Sequence, residues 1–117
     1  MRDYKVVNVN QLNEMAAGSR ELVEDLVRIF SNQVSDFSVQ LDSLNKNGDY
    51  VALGKLAHKI KGSVSMIGIT ELADYMKELE TLAKESKQVE KYPDLISKYK
   101  TMSAEAIIEL KDILTDF

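Results

Sequence analysis

The chain of 117 residues contains no cysteine and no tryptophan, and it has one proline, one histidine and five glycines. Without cysteine there is no disulfide and no thiolate metal site, and a reducing compartment is compatible with the chain. An excess of positive charge is also missing. Fifteen Lys and Arg stand against nineteen Asp and Glu, a formal charge of −4. That balance argues against a nucleic-acid partner, because phosphate backbones reward a basic surface. No segment approaches the ~20 apolar residues of a membrane span. The opening Met1 to Lys5 has no apolar core of signal-peptide length. A cytoplasmic location is expected. With 44% hydrophobic and 29% charged residues, the composition is that of a globular domain rather than a disordered chain. The length fits one domain over residues 1–117 with a single core.

Scarce glycine and proline make the punctuation easy to locate. A short first helix is expected from Val9 to Ala17, using Leu12 and Met15, with Gly18 as its stop. Ser19 caps a second helix, with Glu21 and Glu24 near the positive end of its dipole. Its stripe is Leu22, Leu26, Ile29, Val34, Phe37, Leu41 and Leu44, widened by Val23, Val27 and Phe30. That helix ends at Asn47-Gly48, and Asp49 caps a third that runs to Met66. Gly68 breaks the chain. Thr70 is the expected cap of a fourth helix, with Glu71 in its first turn and a stripe of Leu72, Met76, Leu79 and Ala83 beside Tyr75 and Leu82. Glu85 to Tyr92 is polar and expected as a loop, with a partly helical course as the alternative. Pro93 suits the first position of a last helix, whose stripe is Leu95, Tyr99, Met102, Ala106, Leu110, Ile113 and Phe117. The methionines are expected as core filler. No stretch alternates with period two. The expected fold is all-α, an antiparallel four-helix bundle with the short N-terminal helix packed as a lid.

The single histidine, His58, falls in the third helix. At about 100° per residue, Leu53, Leu56, Ala57, Ile60, Val64 and Ile67 lie in an arc of about 160° to 260° from it. Gly54, Gly62 and Ser65 lie within about 40° of it, Lys61 about 60° away and Val51 within about 20°. The apolar stripe buries itself, so the imidazole is expected to face solvent. Gly54 and Gly62 each cost about 1 kcal/mol relative to alanine. Both are on the histidine's face, so close approach by another group is expected there.

Three kinds of histidine chemistry are testable against these neighbours. Metal sites assemble several ligands at regular spacing; here there is one His, no Cys, and a lysine at i+3. A hydrolytic triad needs a nucleophile beside the imidazole. Ser63 projects about 140° away and Ser65 lies two turns along. The chain also has no glycine-rich phosphate loop. What remains is the imidazole as nucleophile, forming a covalent intermediate such as a phosphoryl adduct. Lys61, a same-face neighbour, suits neutralisation of phosphoryl oxygens as a mobile point charge. Gly62 leaves room for an approaching partner. Glu80, at the margin of the fourth helix's stripe, is placed to orient the imidazole through its other nitrogen. Lys55 and Lys59 are expected as solvating charges that steer toward an acidic partner.

The run Leu56-Ala57-His58-Lys59-Ile60-Lys61-Gly62-Ser63, followed by Ile67-Gly68 and by Leu72 to Leu79-Glu80, resembles the histidine-containing phosphotransfer (HPt) domain family. Phe30 and the Asn47-Gly48-Asp49 turn extend the likeness over most of the chain. The resemblance implies that His58 is phosphorylated on Nε2 and shuttles the group between aspartates of receiver domains. It implies Lys61 as the electrostatic stabiliser and Gly62 as the gap that admits the receiver. Glutamate at position 80 is similar to the phosphotransfer domain of chemotaxis kinases. Val51, Gly54, Gly62 and Ser65 are expected on the docking surface. The implied partners are receivers of a hybrid histidine kinase and of a response regulator. No cofactor is expected on this chain, with magnesium confined to the receiver, and a monomer without its own nucleotide site is expected. Two alternatives remain: a helical adaptor that does no phosphoryl chemistry, and a domain excised from a larger kinase. Met1 and the helical ends favour a free-standing chain over excision.

Overall fold

A computed structural model describes residues 4–116, and in it three helices begin where a side chain accepts an otherwise free backbone N–H. Asn8, Ser19 and Asp49 accept from Gln11, Leu22 and Ala52 at the starts of α1 (Val9–Ala16), α2 (Arg20–Lys46) and α3 (Tyr50–Met66). The fourth, α4 (Thr70–Lys84), differs from expectation: Thr70 lies inside it, and Ile69 stands at the cap with no side-chain bond. Ile69 is fully buried, so packing rather than polar capping fixes where α4 starts. The polar connection contains one 3-10 turn, Val89–Lys91, and α5 (Tyr92–Thr115) begins a residue ahead of Pro93. No strand occurs among the described residues.

Cross-helix contacts give the topology. Gln33 meets Ser63 while Phe37 meets Lys59, so α2 runs against α3. His58 meets Glu80 while Gly54 abuts Lys84, so α3 runs against α4. Asp42 meets Lys100 while Arg20 meets Leu114, so α2 also runs against α5. The result is an antiparallel four-helix bundle of 43 × 21 × 20 Å. Its long dimension is set by the 27 residues of α2, about 40 Å at ~1.5 Å per residue.

The α3 stripe (Leu53, Leu56, Ala57, Ile60, Val64 and Ile67) is buried throughout, as are Leu72, Met76, Leu79 and Ala83 of α4. Two expectations fail. In α2 the inward positions are Val23, Val27, Phe30, Phe37 and Leu41, and Leu22 and Ile29 are 40% and 49% exposed. In α1 it is Ala16 that packs inward beside Leu12, with Met15 47% exposed. Met66 is likewise exposed; of the methionines in the described residues, Met76 is the one in the core and Met102 packs against it. On α5, Tyr92 and Ile96 join the expected stripe. The Tyr92 hydroxyl donates to the Lys87 carbonyl at 2.6 Å, and its ring meets Tyr50 edge-on at 5.2 Å. Phe117 lies outside the described residues.

The N-terminal helix is a lid over the α3–α4 turn. Asn8 N–H donates to the Gly68 carbonyl at 2.7 Å, and Gln11 Nε2 donates to the Ser65 carbonyl at 2.9 Å. Gly68 has φ of 88°, and a Cβ there would sit 2.7 Å from the Asn8 carbonyl oxygen. Only glycine meets both demands. The segment before α1 is tied to α5: the N–H groups of Lys5, Val6 and Val7 all donate to the Glu109 carboxylate, at 2.9–3.2 Å. Among the described residues no helix is long and apolar enough to cross a membrane.

Candidate functional site

With the α3 stripe buried, the opposite side of the helix carries His58, whose side chain is 66% exposed. Facing it across the α3–α4 seam is Glu80, one residue past the buried Leu79. His58 Nδ1 lies 2.7 Å from Glu80 Oε2, and Lys61 Nζ donates to Glu80 Oε1 at 3.0 Å. Each carboxylate oxygen therefore has its own partner. Partial burial raises the Glu80 pKa, but the hydrogen bonds and charges of Lys61 and His58 outweigh it and hold the group below its ordinary 4.5. An ionised carboxylate only accepts hydrogen bonds, so Nδ1 carries the hydrogen and donates it. In the neutral ring this leaves the Nε2 lone pair free.

The other expected site residues divide. Gly62 is open: a Cβ built there meets nothing within 4 Å. Gly54 is not. A Cβ there would lie 3.3 Å from both the Glu80 carbonyl oxygen and the Lys84 backbone nitrogen. The close approach inferred at Gly54 is thus made by α4, and it lets Glu80 come within reach of the imidazole. Val51 is exposed on the histidine's side, and Ser65 is half-buried beside the lid, its carbonyl bonded to Gln11. Lys61, expected as a mobile charge, is instead held on Glu80 with only 30% of its side chain exposed. Ser63 donates to Gln33 Oε1 at 2.9 Å, toward α2 and away from the imidazole. Lys59 lies 5.6 Å from the centre of the Phe37 ring, within cation–π range.

A groove of about 390 Å³ runs along the seam, lined by Val51, Gly54, Lys55, His58, Glu80 and Lys84. Lys84 was not singled out in the sequence. The available signal is its i+4 spacing from Glu80, which places both on one side of α4. Among the described residues no three His, Cys, Asp or Glu side chains gather as a metal site would need.

The site is thus an outward imidazole paired with a carboxylate on the seam of an antiparallel helical bundle. Residues 12–116 match the family model of the Hpt domain, and the chain belongs to that family. It is thus a histidine phosphotransfer component of a phosphorelay, a family that works with receiver domains. The fold is similar to the crystal structure of histidine-containing phosphotransfer protein B from Pseudomonas aeruginosa PAO1. The TM-score is 0.87 at 24% identity, over 98% of this chain and 99% of that one. No curated protein matches the sequence.

Proposed function

We propose that His58 Nε2 is the phosphoryl acceptor and donor of this domain. The Nε2 lone pair attacks phosphorus of a receiver's aspartyl phosphate. The P–O bond to the aspartate breaks, its electron pair leaves on the aspartate carboxylate, and an N–P bond forms. Nδ1 keeps its hydrogen throughout, so the phosphorylated ring is cationic and the Glu80 carboxylate balances that charge. In the return step an aspartate oxygen of a second receiver attacks phosphorus, and Nε2 recovers its electron pair. No proton moves in either direction, and Glu80 acts as an orienting charge partner rather than a base.

The observation that carries this reading is the 2.7 Å contact of Glu80 with Nδ1, which directs the free nitrogen away from α4. The open Gly62 and the exposed Val51 flank the imidazole where a receiver approaches, with Ser65 further along. The partners are the receiver of a hybrid histidine kinase and that of a response regulator. The chain has no nucleotide site and acts as a monomeric cytoplasmic carrier, with magnesium held in the receiver's aspartate pocket. A helical adaptor without chemistry would bind receivers equally well and take up no phosphoryl group.

The test mixes the protein with kinase–receiver pairs of its source genome and labelled ATP. Acid-labile, alkali-stable label on the wild type, absent from His58→Gln, is expected. No label from any receiver, or label retained by His58→Gln, overturns the assignment.

A further inference from the structure

Gly54, His58 and Lys61 are spaced four and three residues apart, so they form one stripe of α3, and all three meet the same residue of α4. His58 Nδ1 lies 2.7 Å from Glu80 Oε2, and Lys61 Nζ donates to Glu80 Oε1 at 3.0 Å. Gly54 meets the main chain of Glu80 itself. A Cβ built at 54 would lie 3.3 Å from the Glu80 carbonyl oxygen, 3.3 Å from the Lys84 backbone nitrogen and 3.5 Å from Ala83 Cβ. Non-bonded carbons pack at roughly 3.5–4.0 Å, so the two shorter approaches exist because position 54 has no side chain. Those two atoms are also partners, since within α4 the Lys84 N–H donates to the Glu80 carbonyl. Gly54 is buried under them, out of reach of a docking protein. A glycine in mid-helix costs about 1 kcal/mol relative to alanine, and the seating of α4 is what that cost obtains here.

We propose that Gly54 is a positioning residue for phosphoryl transfer: it sets the α3–α4 separation at which Glu80 reaches Nδ1, and it acts on His58 through Glu80 alone. The proposal rests on His58 as the acceptor and Glu80 as its partner. The Glu80 carboxylate is held on both oxygens by side chains of α3, while its main chain is seated on α3 at Gly54. A displacement of that main chain therefore passes to the carboxylate through one side chain, with no other residue between. A methyl group at 54 pushes α4 outward and lengthens the Nδ1 contact, and charge-assisted bonds owe their strength to being short. The weaker the hold on Nδ1–H, the more the ring populates the tautomer with its hydrogen on Nε2. That tautomer has no lone pair on the outward nitrogen and does not attack phosphorus.

The experiment phosphorylates the full chain with potassium phosphoramidate, a donor too small to need a docking surface, and follows phosphohistidine formation by 31P NMR. The tautomer of His58 is read from the 15N shifts of its imidazole before the donor is added. Wild type is compared with Gly54→Ala, Glu80→Ala, the double variant Gly54→Ala/Glu80→Ala, and Ile113→Val, a core change on α5 that lowers melting without touching the seam; each is checked for native helicity. Gly54→Ala is expected to slow uptake by about three- to tenfold, part of what losing a charge-assisted bond costs, and to raise the fraction of ring with hydrogen on Nε2. Ile113→Val is expected to keep the wild-type rate and tautomer. In the Glu80→Ala background Gly54→Ala is expected to add no further slowing, because the two changes act on one interaction. A wild-type rate and tautomer in Gly54→Ala, the same slowing with and without Glu80, or equal slowing in Ile113→Val overturns the positioning role and leaves His58 and Glu80 in place. A wild-type rate in Glu80→Ala, or a wild type that takes up no phosphoryl group from phosphoramidate or receiver, removes the pair on which the proposal rests, and the role of Gly54 with it.

Discussion

His58 Nδ1 and Glu80 Oε2 lie 2.7 Å apart, and this one contact decides which ring nitrogen is available to a partner. A hydrogen bond to a charged group is worth ~1.5–3 kcal/mol, which corresponds to about 10- to 100-fold in rate if it is fully expressed in the transition state. Glu80→Ala is expected to slow phosphoryl uptake from a receiver by an amount in that range. Glu80→Gln should fall between, since the amide oxygen still accepts from Nδ1 but carries no charge. Single-turnover transfer kinetics check both, and wild-type rates in Glu80→Ala would remove Glu80 from the mechanism.

The same carboxylate predicts a pH dependence of stability. Burial alone would raise its pKa, but Lys61 and His58 together lower it below 4.5 in the folded chain. The native state thus releases the Glu80 proton more readily than the unfolded chain, and stability from this source is present above pH 4.5. It is lost as pH falls through the lower folded value. Urea unfolding between pH 7 and about pH 3 is the check. Wild type should lose more stability over that range than Glu80→Gln, and parallel curves would contradict the account.

The two glycines on the histidine's helix separate packing from access. At Gly62 a methyl group meets nothing within 4 Å, so Gly62→Ala should stabilise the fold by about 1 kcal/mol through helix propensity. It should also slow transfer with a receiver while leaving phosphoramidate labelling unchanged. At Gly54 a methyl group meets α4 backbone at 3.3 Å. Gly54→Ala is therefore expected to lower the melting temperature despite its better propensity. Equal melting shifts in the two variants would contradict the difference in their surroundings.

Far from the site, Glu109 gathers the N–H groups of Lys5, Val6 and Val7. Glu109→Ala leaves those donors without their acceptor, at a cost of about 1–3 kcal/mol. Hydrogen exchange at the three amides should accelerate strongly while α3 and α4 keep their protection and transfer rates hold. Unchanged exchange at Val6 and Val7 would show that other contacts hold the segment.

The site was legible in the sequence wherever it depended on one helix alone. The α3 stripe has a single apolar arc, so the wheel placed His58 outward and Leu53, Ala57 and Ile60 inward without ambiguity. In α2 two apolar arcs adjoin, and periodicity does not choose between them. The neighbouring helices select Val23, Val27 and Phe30 and leave Leu22 and Ile29 in solvent. Relationships between helices were less visible, because they depend on register. The hold of Glu80 on Lys61, the seating of Gly54 against α4 and the place of Lys84 in the groove all follow from how α3 and α4 slide past one another. The Glu109 anchor joins residues about a hundred positions apart, and no local pattern announces it. Thr70 shows the reverse case, a good capping residue in a place where the burial of Ile69 already sets the helix start.

In the proposed function, Glu80 on Nδ1 reserves Nε2 of His58 for the phosphoryl group. The most direct measurement is 15N and 31P NMR of the chain after phosphorylation by a receiver, with the imidazole nitrogens labelled. One phosphoryl group per chain is expected, coupled to Nε2, with Nδ1 still protonated and hydrogen-bonded. A phosphorus–nitrogen coupling at Nδ1, or a phosphorylated chain whose imidazole is unmodified, would contradict it.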